Sequence, residues 1–126
     1  MSVGITLDTG ALIALERRSG RFSRIWHVAI ADGVRITVPT VVVGEWWRGR
    51  SDRRDDILMS VDIEPLELPL ARLAGEAIAA VPRATLVDAV VVASAARRGD
   101  LVFTSDYDDL TRLAVSFFNG VKVFAV

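Results

Sequence analysis

Four carboxylates stand out by their settings. Asp8 closes the apolar run Val3–Leu7, and Asp106 follows Leu101–Ser105 in the same way. Asp88 is the lone charge between Leu86 and Ala96, and Glu45 sits within Val41-Val42-Val43-Gly44-Glu45-Trp46-Trp47. Oxygen donors of this kind suit a hard divalent cation such as Mg²⁺, which prefers octahedral oxygen ligation and keeps some of its waters. Four acids gathered without a cation would repel one another and resist ionisation. Other chemistries are thin. The chain has no cysteine and one histidine, His27, so a thiolate nucleophile, a zinc–thiolate site and a zinc site of several imidazoles are all excluded.

Each acid also has a plain structural use. Asp8 and Asp106 each precede a helix and suit its N-cap. With Thr85 as N-cap, Asp88 falls at the third helical position, where an acid completes a capping box and meets the helix dipole. Glu45 fits a solvated helix face, paired locally with Arg48. Capping explains each singly; it gives no reason for all four.

The elements that must position these residues follow from periodicity. Val3–Leu7 reads as a buried strand, followed by a helix over 11–18 that stops at Ser19-Gly20. Phe22, Ile25, Trp26 and Ala29 keep helical spacing within 22–31. A strand over 35–38 leads to a helix capped by Thr40, running to Trp47 and extending towards Met59. Residues 61–68 are extended but carry Pro65, which marks an edge. Helices over 70–80 and 86–98 are separated by Pro82, and the second is capped by Thr85 and stopped at Gly99. A strand over 101–104, a short helix within 105–114 and a closing strand over 121–126 complete the chain. Strands alternating with helices predict an α/β fold with a mainly parallel sheet, in which ligands bind beyond the carboxyl ends of the strands.

At 126 residues, 52% hydrophobic and 25% charged, the chain is one domain (1–126) with a full core, not a disordered segment. Its formal charge of −1 gives no overall field favouring nucleic acid, although fourteen of its fifteen basic residues are arginine. The N-terminus lacks a basic region before its apolar run, and no apolar stretch reaches membrane-spanning length. A cytoplasmic protein without a membrane segment is expected.

Asp8-Thr9, Glu45 within Val-Val-Val-Gly-Glu-Trp-Trp-Arg-Gly, Leu86-Val87-Asp88-Ala89 and Thr104-Ser105-Asp106 occur in an order that resembles the PIN domains. In length and layout the chain is most similar to the VapC-type toxins of bacterial toxin–antitoxin pairs. The resemblance covers nearly the whole chain. It implies a PIN-like three-layer fold and an endoribonuclease dependent on Mg²⁺ or Mn²⁺. It also implies a homodimer neutralised by a cognate antitoxin. On it, Asp8, Asp88 and Asp106 match the metal-binding acids, Glu45 matches the acid of the third helix, and Thr104 resembles a hydroxyl near the metal. Asp108 and Asp109 are helix-start acids with at most a supporting role.

RNA approaching acids needs cations. Arg17, Arg21 and Arg24, or Arg50, Arg53 and Arg54, could meet phosphates, although Asp52, Asp55 and Asp56 intersperse the second set. Phe117-Phe118 could stack bases or pack beneath the last strand. One Trp ring of Trp46-Trp47 is assigned to the core, the other to a subunit contact. The main rival is a catalytically silent PIN-like interaction module. A phosphoacceptor receiver fits less well, since Leu7 precedes a single Asp8 and the only lysine, Lys122, lies in the closing strand. A dehalogenase-type phosphatase would need an acid where Gly10 stands.

Overall fold

The computed structural model describes residues 3–18 and 20–126. The elements are β1 (Ile5–Leu7), α1 (Thr9–Glu16), α2 (Gly20–Ala31), β2 (Ile36–Pro39), α3 (Thr40–Trp46) and α4 (Asp52–Met59). They continue with β3 (Asp62–Glu64), α5 (Leu68–Ala80), α6 (Leu86–Arg98), β4 (Leu101–Thr104), α7 (Tyr107–Ser116) and β5 (Val123–Ala125). The five strands form one sheet, ordered β3-β2-β1-β4-β5, and every pairing is parallel. The α/β expectation holds, and the sheet is wholly parallel.

Helices cover both faces, as a parallel sheet requires. Thr6 bonds to Arg98 of α6, so its face of the sheet lies under α6. Leu7 and Phe103 point the other way, and Phe103 packs on Phe22 of α2 at 5.2 Å between ring centroids. Leu7, Leu12, Leu15, Val38, Val42 and Val90 are fully buried between these layers. Along α6 every residue from Ala89 to Ala95 is buried, which explains a helix apolar almost all round.

The strand order decides where a ligand can bind. From β1 the chain builds outward to β2 and β3, then returns to place β4 on the other side of β1. The gap between β1 and β4 is the sheet's switch point, where connections diverge and leave a crevice at the carboxyl edge.

Two local expectations need correction. The helix after β2 does not run on to Met59. It ends at Trp46; Trp47 is extended, and Gly49 takes φ +105°, a conformation that suits only glycine. Ser51 then caps α4 by accepting the Arg54 amide at 3.1 Å. Nor does Thr40 cap α3. Pro39 is the cap residue, and the Thr40 hydroxyl accepts the Leu66 amide instead, at 3.2 Å. In the expected stop at Ser19-Gly20, Ser19 lies outside the described residues. Helix α1 ends at Glu16, and Arg18 turns left-handed at φ 53°.

Candidate active site

Asp8 and Asp106 come from the two strands that meet at the switch point. The β1–β4 register pairs Leu7 with Phe103, so Asp8 stands next to Thr104. Asp8 is 3% exposed, and both of its oxygens are engaged. Oδ1 accepts the Ala11 amide at 2.8 Å, capping α1, and Oδ2 accepts the Thr104 hydroxyl. The same hydroxyl oxygen accepts the Asp106 amide at 2.8 Å. Thr104 therefore ties the acid after one strand to the loop carrying the acid after the other. Asp106 opens α7, but its exposed carboxylate makes no capping bond.

Asp88 occupies the expected place at the start of α6, with its amide donating to Thr85 Oγ1 at 3.2 Å. Burial pushes its carboxyl up from 3.8 to about 6; the Thr85 hydrogen bond opposes this, and the charges of Asp106, Asp8 and Asp109 add to it. Asp8 is also raised, first by burial, against its bonds to Thr104 and Ala11, with the charge of Asp106 contributing. Asp8, Asp88 and Asp106 thus lie within electrostatic reach of one another. The caps and the cluster coexist.

Glu45 is not among the leading causes of the raised carboxyls of Asp8 and Asp88. It is linked through Thr9, whose hydroxyl donates to Glu45 Oε1 at 2.6 Å. No Glu45–Arg48 pair forms; Arg48 Nη1 donates to the Trp47 carbonyl at 2.9 Å. Trp46, 3% exposed, donates from Nε1 to Glu16 Oε1 at 2.9 Å. Consecutive residues of α3 therefore reach both ends of α1, Glu45 to its first residue and Trp46 to its last. That double attachment sets where Glu45 sits.

Gly10 allows the two acidic loops to approach. A Cβ there would lie 1.8 Å from Ser105 Oγ and 2.3 Å from Ser105 Cβ. Helix α1 and the loop bearing Asp106 can therefore meet only at a residue without a side chain.

The arginines of α4, and Arg50 just before it, bond within the chain. Arg53 donates twice to the Leu15 carbonyl (3.1 and 2.7 Å), Arg54 pairs with Glu16 at 2.7 Å, and Arg50 pairs with Asp55 at 3.1 Å. This removes Arg53 and Arg54 as free phosphate contacts, while Arg50 stays largely exposed in a surface pair. Phe118 is buried edge-on against Phe117, so the pair packs rather than offering a stacking platform. Trp47, half-buried, lines an apolar cleft with Val43, Gly44, Leu58 and Ile63.

Sequence reasoning missed a second polar cluster, under α6. Arg98 bonds Glu64 at 2.8 Å, Asp100 at 2.9 Å and Thr6 at 2.8 Å; Thr6 donates on to Asp100 at 2.9 Å, and Ser94 to Glu64. Its members satisfy one another, bracing edge strand β3 against α6 and β1. Apart from Arg98–Asp100, these partners lie 30 to 94 residues apart and leave no local pattern.

The aspartates offer oxygen donors only, and two of them carry a repulsion that a divalent cation would relieve, so their chemistry fits Mg²⁺ or Mn²⁺. Among the described residues no three acids form a ready-made ion cage. An ion held here would keep much of its water shell, as Mg²⁺ commonly does.

A doubly covered parallel sheet with acids at its switch point defines a class. The sequence matches the PIN domain family over residues 5–115, and the chain belongs to that family. No curated protein matches it. Among solved structures, it is similar to a chain of DNA-bound VapBC from Salmonella typhimurium, with a TM-score of 0.73, 13% identity, and 98% of each chain covered. VapBC2 from Rickettsia felis, bound to a promoter DNA fragment, gives 0.71 at 11% identity, covering 97% of this chain and 98% of that one. FitAcB from Neisseria gonorrhoeae gives 0.63 at 18% identity, covering 95% and 96%. At these identities the likeness is one of fold. Among the described residues, no helix is long and apolar enough to cross a membrane.

Proposed function

We propose that this PIN domain is a divalent-metal-dependent endoribonuclease and the toxin of a toxin–antitoxin pair, with Mg²⁺ or Mn²⁺ held by Asp8, Asp88 and Asp106. The observation that carries this reading is the Thr104 hydroxyl joining Asp8 to the Asp106 loop at the switch point of a PIN fold, with Asp88 at the start of α6 close enough to feel both charges. A bound divalent cation would supply charge neutralisation at the phosphoryl oxygens and favour ionisation of water. The chain's own residues do the positioning. Thr104 orients Asp8 and the Asp106 loop together, and Thr85 sets the start of α6 and with it Asp88. Thr9 occupies one oxygen of Glu45, leaving Oε2 to orient a water and take its proton as that water bonds to phosphorus; the 3′ oxygen leaves with the electrons of its bond to phosphorus and takes a proton from solvent.

The solved assemblies VapBC and FitAcB support a cognate antitoxin as partner, and the open apolar cleft at Trp47 supports a protein contact. The proposed toxin is homodimeric and acts in the cytoplasm. The test is cleavage of total RNA by purified protein with Mg²⁺, with chelator, and with Asp106→Asn. Cleavage by wild type in Mg²⁺ alone is expected. Cleavage surviving chelation or Asp106→Asn overturns the assignment. Mg²⁺ binding without cleavage of several RNAs would instead indicate a silent interaction module.

A further inference from the structure

A cleft of about 370 Å³ opens beside Glu45, lined by Glu16, Arg17, Glu45, Trp46, Arg48 and Arg54. Its charges divide into two groups. Glu16 is engaged by Arg54 at 2.7 Å and by the Trp46 indole at 2.9 Å, so this acid and this cation cancel and brace the wall. Arg17 and Arg48 are exposed, and among the described residues neither pairs with an acid; Arg48 reaches only the Trp47 carbonyl. Two uncompensated guanidinium groups therefore share the cleft with a single uncancelled carboxylate, Glu45, which accepts from the hydroxyl of Thr9, the residue after Asp8.

A polyanion cannot approach three aspartates and a glutamate without cations along its path, and guanidinium groups suit phosphate because they bind it bidentately and desolvate readily. Arg17 caps the C-terminal end of α1, while Asp8 caps its N-terminal end. A helix of that length spans roughly 12 Å, so Arg17 stands a short run of nucleotides away from the acids. Both cations line the same cleft as Glu45, so a strand lying along it would meet two guanidinium groups on its way to the acids.

We propose that this cleft is the track for a single RNA strand flanking the scissile phosphate, with Arg17 and Arg48 each holding one backbone phosphate. The inference rests on the nuclease reading of the acids. It predicts affinity without base preference from these two residues, since phosphate contacts position a strand and do not read it.

The test measures binding of a fluorescent single-stranded RNA 12-mer by anisotropy across a KCl series, in an Asp106→Asn background that prevents cutting. Arg17→Gln/Arg48→Gln should weaken binding about tenfold or more and lower the salt slope by about 1.4, from about 0.7 for each phosphate contact on a single strand. Arg35→Gln/Arg97→Gln, at the opposite edge of the sheet, should change neither. Both pairs are exposed, and matching melting temperatures establish that the variants are folded. Unchanged affinity and slope in the Arg17/Arg48 variant overturn the track. Unchanged RNA affinity with weakened capture of a co-expressed antitoxin also overturns it, in favour of a protein surface. Cleavage by the protein with its four acids intact separates the two proposals. If that protein cuts RNA while the arginine variant binds and cuts equally well, only the track fails. If it neither binds nor cuts RNA, the nuclease reading fails and takes the track with it.

Discussion

Replacing Asp88 by asparagine should make the metal-free protein more stable while abolishing its chemistry. Burial, with help from Asp106, Asp8 and Asp109, raises the Asp88 carboxyl from 3.8 to about 6. At pH 4 the folded protein keeps this proton. Between pH 4 and 6 the unfolded chain releases it while the folded chain holds it, so rising pH favours unfolding; above pH 6 the penalty is fully developed. The side chain is only partly buried, and with solvent screening the penalty at pH 7 is about 1–2 kcal/mol. Asparagine keeps the shape and the backbone bond to Thr85 but carries no charge. The stability difference between Asp88→Asn and wild type in chelator should be near zero at pH 4 and grow to that value by pH 7, a rise in Tm of roughly 5 °C. Urea unfolding at a series of pH values measures it. Millimolar Mg²⁺ should stabilise wild type at pH 7 by the linkage of folding to binding, and Asp88→Asn far less. A variant no more stable than wild type at pH 7, or a difference that does not change with pH, refutes the idea that this acid is held under repulsion.

Gly10→Ala should push the Ser105 loop away from α1, lowering stability by about 1–3 kcal/mol and removing RNA cleavage; Ser105→Gly in the same chain should restore both, and failure of that rescue would argue against the close-approach role. Thr9→Val should reduce cleavage at least tenfold with Tm nearly unchanged, because Glu45 loses its anchor, and Thr9→Ser should recover the rate. Arg98→Ala should lower the urea-derived stability by about 3 kcal/mol, since it leaves the buried Asp100 and the partly buried Glu64 without their cation; a loss under 1 kcal/mol would mean that the network contributes little to stability.

Local physics made much of the fold legible before any coordinates. The limits of α6 follow from Thr85 at one end and Gly99 at the other, and the observed helix runs from Leu86 to Arg98. Strand β4 also begins and ends as its apolar run suggests. Asp8, Asp88 and Asp106 were visible because each is an acid at the end of an apolar strand or inside an apolar helix, where a charge needs a reason. The break after Trp46 was not visible. Gly44, inside α3, and Gly49, outside it, look alike in sequence, and only the left-handed backbone at Gly49, followed by the Ser51 cap, separates them.

What the sequence alone determined is the set of elements and the acids at their ends, because helix caps, periodicity and strand termination act within a few residues. Which acids meet was decided by tertiary structure. The strand order places β1 beside β4, Gly10 lets their loops touch, and contacts of α3 with both ends of α1 bring Glu45 to Thr9, the residue after Asp8. Arg54 and Arg17 both line the cleft with Glu16, yet among the described residues only Arg54 forms an ion pair with it. Such differences depend on electrostatic and packing contacts between residues distant in the chain, and no local pattern encodes them.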